Sequence, residues 1–167
     1  MNYPAPVQRL LNEEAFRRYA TTTSGSRDVQ AELLALDEGT LLAASRELPE
    51  AENLGKSRAM ARACISGLWL LHNFLDRSHD ISQSLETPAG SHWHAIMHRL
   101  EGDFSNSKYW YRRVGEWELY EVISQRSEEP FDPLRFVDCV ERQGIEATHA
   151  VAVAEWQVLF EHCFGGI

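Results

Sequence analysis

No stretch of the sequence approaches the ~20 consecutive apolar residues that a membrane-spanning helix requires, so no membrane partner is expected. Cysteine is scarce: Cys64, Cys139 and Cys163 are odd in number, far apart and form no C-x-x-C pair. That pattern argues against a disulfide framework and predicts reduced thiols. Cys64 and Cys163 lie in apolar runs, where a thiol behaves as a small hydrophobe. Positive charge is also short, with 16 Lys and Arg against 25 Asp and Glu, a net charge of −9. A duplex-binding protein needs basic surface to displace phosphate counterions, so DNA is excluded as a partner. The start, MNYPAPVQRLLNEE, lacks the basic region, apolar region and small-residue cleavage site of an export signal, and a cytoplasmic location is expected. Alternating apolar and polar runs are nearly absent, which leaves little room for strands. No 20–50-residue period recurs, so a solenoid is excluded. The H-E-x-x-H pattern is missing, and with it any support for zincin protease chemistry.

What remains is helical. Hydrophobic residues make up 44% of the 167, enough for a packed core in one domain spanning 1–167. Residues 1–26 form a candidate loosely attached N-terminal helix and linker. Helices are expected over Val7–Tyr19, over Arg27–Leu48 with an interruption near Gly39, and over Lys56–Asp80. Further helices are expected from a Ser91 cap to Gly102, from Ser105 to Gly115, across residues 116–125, from Asp132-Pro133 to Gly144, and from Ile145 to Cys163. Short connections between them predict an all-α, irregular antiparallel bundle of roughly six to eight helices.

Unusual residues gather in one region. Five of the seven histidines, His72, His79, His92, His94 and His98, fall between positions 72 and 98. They run into the only net-basic stretch: residues 92–113 carry +2, against −3 before it and −8 after it. His72, Asp76 and His79 stand at i, i+4 and i+7, and so do His94, His98 and Glu101. On a helix each triplet spans about 60° of arc. Two neighbouring helices with these stripes face to face would bring four imidazoles and two carboxylates together. The expected ligands are therefore His72, His79, His94 and His98 for a divalent metal (Zn, Fe, Ni or Mn), with Glu101 or Asp76 as a further ligand or general base. Asp76-x-x-His79 and Glu146-x-x-His149 also match half of a ferritin-like di-iron pattern, without the two further glutamates it needs.

Arg99, Lys108, Arg112 and Arg113 form a candidate site for a small anionic molecule, since guanidinium and ammonium groups match carboxylate or phosphate. Metal-assisted hydrolysis is the reaction class this set suits, though the residues do not by themselves make the protein an enzyme. The alternative is a non-enzymatic interaction or homodimerisation module. Its histidine cluster would be a structural polar network, and the acidic C-terminal third and the consecutive aromatics Tyr109, Trp110 and Tyr111 would serve a partner.

The run W-H-A-I-M-H-R-L-E-G-D over Trp93–Asp103, followed by N-S-K-Y-W-Y-R-R-V-G over Asn106–Gly115, resembles the signature W-H-x-I-M-H-R-x-E-x-D … N-x-x-Y-W-x-R-R-V-G of a family of uncharacterised small helical proteins. The resemblance implies that residues 92–115 act as one unit. It implies no activity.

Overall fold

The chain breaks into helices wherever a side chain can cap a helix start or the backbone must turn. The computed structural model describes residues 3–21, 25–43 and 53–167. Among these there are no strands, and the elements in order are α1 (Ala5–Leu10), α2 (Glu13–Arg18), α3 (Arg27–Leu34), α4 (Glu38–Leu42), α5 (Leu54–Leu71), α6 (Leu75–Ser82), α7 (Pro88–Glu101), α8 (Phe104–Val114), α9 (Leu119–Ser127), α10 (Pro133–Gln143), a single 3-10 turn (Glu146–Thr148) and α11 (His149–Gly165). The all-α bundle is as expected, but its helices are more numerous because three long segments each divide. Val7–Tyr19 divides at Asn12, whose side chain accepts from the Ala15 amide at 2.9 Å and donates to the Arg9 carbonyl. Arg27–Leu48 divides at Asp37, which caps α4 through Thr40. The expected end of that segment at Leu48 lies outside the described residues. Lys56–Asp80 divides at Asn73, which sits in the left-handed region at φ 60°. Asparagine tolerates that conformation better than most residues.

Helix α7 is the axis of the molecule. Thr87 caps it by accepting from the Gly90 amide at 3.0 Å, with Pro88 at its first position, so it begins before the expected Ser91. Every residue from Ala89 to Arg99 is buried. A helix covered on all sides has no single apolar face, so no amphipathic stripe marks which of its residues are buried. Helices α5, α6 and α8 pack against α7, and α11 packs against α5 and α9. Helices α5 and α7 approach closely at Gly67, where an added Cβ would come within 2.6 Å of the Trp93 ring. The Gly67 carbonyl also accepts from Trp156 Nε1 at 2.9 Å, which ties α11 to the same point.

Residues 3–19 contribute Val7, Leu10, Ala15 and Tyr19 to the core. They are held by Tyr3 against Phe160 and Phe164, by Phe16 against Trp156, and by His149 Nε2 bonded to the Phe16 carbonyl. All three cysteines are free, with Cys64 and Cys163 fully buried. No described helix is long and apolar enough to cross a membrane.

Candidate metal centre

Two polar seams run along α7. Arg99 stands seven positions after His92, which puts them within about 20° of each other; His94 and His98 lie on the opposite side of the helix, about 200–240° away from His92. The two seams have different surroundings and different chemistry.

The His94–His98 seam faces α6 and α8. His79 of α6 comes up beside it, and the three imidazoles pack with ring centroids 4.6 Å apart for His79–His94, 4.6 Å for His94–His98 and 5.6 Å for His79–His98. One ring nitrogen from each lies within 4.8 Å of the others. A tetrahedral zinc ion with bonds near 2.0–2.1 Å wants nitrogens about 3.3 Å apart, so modest side-chain rotation would close the site. His94 and His98 are buried and His79 is half-buried. Burial, followed by the two neighbouring imidazoles, pushes His94 down to about 3, which keeps it in the neutral form that binds metals.

Surrounding groups orient the rings. Ser82 Oγ lies 3.1 Å from His94 Nδ1, and Glu101 Oε1 lies 2.5 Å from His98 Nδ1. A carboxylate on Nδ1 makes that nitrogen the N–H donor and leaves the Nε2 lone pair for another partner, the arrangement commonly found behind a metal-bound histidine. Asn106 Nδ2, from α8, lies 3.0 Å from His98 Nε2. Trp110, one turn further along α8, packs on His94 with centroids 4.1 Å apart. Gly102, at φ 86°, ends α7 and turns the chain so that Asp103 caps α8 through the Asn106 amide. His98, Glu101 and Asp103 thereby make a second group with ligand atoms within 4.8 Å of one another.

The structure separates the rest of the expected ligands from this cluster. His72 follows the last turn of α5, before the break at Asn73, and its Nε2 bonds to the Leu10 carbonyl at 3.1 Å. Because the helix stops there, the i, i+4, i+7 spacing through Asp76 does not describe one face. Asp76 is exposed in the first turn of α6. It lines an open cavity with Gly25, Gln30, Asn73 and Arg77, outside both ligand groups. His149 is committed to the Phe16 carbonyl, and Glu146 is exposed on the 3-10 turn, which leaves the di-iron pattern without a partner pair.

The basic residues divide too. Arg99 is not an anion site. It is buried on the other seam, where Nη2 donates to Glu155 at 2.5 Å, Nη1 donates to the Tyr111 hydroxyl at 2.6 Å, and the guanidinium stacks 4.6 Å over Phe136. Lys108 pairs with Asp138 at 2.5 Å and lies 3.8 Å from Glu141. Arg112 and Arg113 are exposed, and Arg113 sits 5.0 Å over the Trp110 ring. Only these two of the four expected cations remain available at the surface.

No family model, curated protein or solved structure matches the chain. The chemistry of the site therefore rests on its own geometry.

Sequence reasoning missed the group opposite the histidines. Fully buried Glu155 of α11 accepts from His92 Nε2 at 2.8 Å and from the Tyr111 hydroxyl at 2.5 Å, besides Arg99. Burial pushes the Glu155 carboxyl up, but the Arg99 guanidinium and the His92 bond outweigh it and hold it down to about 2. A lone charge in the run Val151–Phe160, apolar but for Glu155 and Gln157, is the available signal, because a buried carboxylate there must find a cation.

Proposed function

We propose that the protein binds a divalent transition metal through His79, His94 and His98 and presents it to a small anionic molecule. The carrying observation is the convergence of three imidazole nitrogens from two helices within 4.8 Å. Two of those rings are already oriented by Ser82 and Glu101. Three imidazole ligands leave at least one coordination position for water or substrate, as in catalytic rather than structural zinc sites. An ion held there would polarise a substrate oxygen or lower the pKa of a bound water, which suits hydrolysis. Its positive charge would attract an anion, and Arg112 and Arg113 add exposed cations on α8, Arg113 through the Trp110 ring that also covers His94. In this reading Glu101 fixes the His98 tautomer, and Arg99 and Lys108 have no part in binding the anion. The resemblance of residues 93–115 to a shared signature fits a unit built from α7 and α8.

The test is elemental analysis of protein purified without a nickel column. At least about one ion per chain is expected after reconstitution, and His94→Ala should remove the ion held by the three imidazoles, lowering the count by about one while the chain remains helical. Fewer than about one ion per five chains, with no gain on reconstitution, would overturn the proposal. The interaction-module alternative makes the opposite prediction: His94→Ala would lower Tm and leave metal content unchanged.

A further inference from the structure

His98 belongs to both ligand groups, and an imidazole has two nitrogens on opposite edges. Asn106 Nδ2 stands 3.0 Å from Nε2 and would turn aside for an ion shared with His79 and His94, while Nδ1 faces Glu101 at 2.5 Å, with an Asp103 oxygen in the same ligand group. We propose that a second divalent cation binds here, held by His98 Nδ1, Glu101 and Asp103, so that the His98 ring bridges two ions about 6 Å apart. This rests on the reading of His79, His94 and His98 as the first site.

The donor sets differ in a way that separates the two positions. The first is all nitrogen and largely buried. The second combines one imidazole with two carboxylates at the surface, since the Glu101 side chain is 40% exposed and Asp103 is exposed. Such a mixed set suits Zn²⁺, Mn²⁺ or Fe²⁺. One Asp103 oxygen caps α8 and accepts from Ser105, and one Glu101 oxygen accepts from His98. Each carboxylate therefore has an oxygen to spare. Gly102, in its left-handed turn, sets the two carboxylates on either side of the helix end. On binding, the Nδ1 proton leaves to solvent and Glu101 exchanges an N–H partner for an ion.

The experiment is a zinc titration of the intact metal-free chain, with bound zinc counted by equilibrium dialysis and elemental analysis. It would be run in parallel on Glu101→Gln, Asp103→Asn and His79→Ala. Asparagine remains a good helix cap, so Asp103→Asn tests ligation and not the start of α8; circular dichroism checks that each variant is folded. The expected result is that wild type takes up a second ion, which Glu101→Gln and Asp103→Asn each lose while keeping the first. Copper loading adds an independent readout: wild type should show a coupled, diminished electron-spin signal, and Glu101→Gln an uncoupled one. A single ion insensitive to both carboxylate variants but lost in His79→Ala would overturn this proposal and leave the first site standing. A single ion lost in the carboxylate variants but kept in His79→Ala would overturn the bridge and the three-imidazole site together. No uptake by wild type would also overturn both.

Discussion

Glu155 shows how one side chain can set the chemistry of a whole seam. It is fully buried, and its partners are Arg99, His92 and Tyr111. Removing one member of a buried ion pair strands the other charge, which costs more than the pair itself contributes. Glu155→Leu should therefore lower stability by ~3–5 kcal/mol in chemical denaturation, with Arg99→Met comparably harmful. The double variant should be less destabilised than either single one; a strictly additive loss would mean the pair is not acting as a unit. The same contact explains why Arg99 was misread from sequence. A cation's spacing along a helix is visible there, but whether a carboxylate 56 positions later claims it is not. The histidine pair at i and i+4 is legible because both members lie on one uninterrupted helix, and His79 is legible as a ligand from a neighbouring helix; its expected partners His72 and Asp76 do not join it, because the chain turns at Asn73.

At the scale of elements, the turn at residues 72–74 decides which histidines meet. The apolar pattern continues across it, so periodicity alone joins α5 to α6. The backbone instead reverses through Asn73, and Phe74 packs edge-on against Trp69. Capping chemistry was more reliable than periodicity. Gly102, Gly115, Asp132 and Gly144 bound helices where their residue types suggested, because each cap is a local matter of backbone conformation or one hydrogen bond. The α5–α7 contact depends on a residue with no side chain at all. Gly67→Ala would push a methyl group into the buried Trp93 ring, and overpacking of this kind costs ~1–3 kcal/mol. A lowered Tm is the expected result, together with a shift in the environment of the seam on α7; an unchanged Tm would show that the helices can part without loss.

The whole molecule should respond to acid in a definite direction. His94 is held at about 3 in the folded chain by burial and by its neighbours, against an ordinary value of 6.5. Between those values the unfolded chain carries a proton there that the folded chain does not. Stability is therefore fully present above 6.5 and falls as pH drops through that range. His72 and His162, also lowered chiefly by burial, act in the same sense. Thermal melts of the metal-free chain should thus show a Tm that declines from about pH 7 to about pH 5, less steeply in His94→Gln. A flat or rising Tm would contradict the buried, neutral state of the ring. The overall class was legible from what the sequence lacks, namely strand alternation and repeats. The order of packing was not, because contacts such as Tyr3 with Phe160 join residues at the two ends of the chain.

The indole of Trp110 covers His94 at 4.1 Å. Its light emission is thus placed to sense whatever reaches the imidazoles, and paramagnetic cobalt or copper arriving there would dim it. An ion bound there would come with a built-in optical gauge, readable in dilute solution without a label.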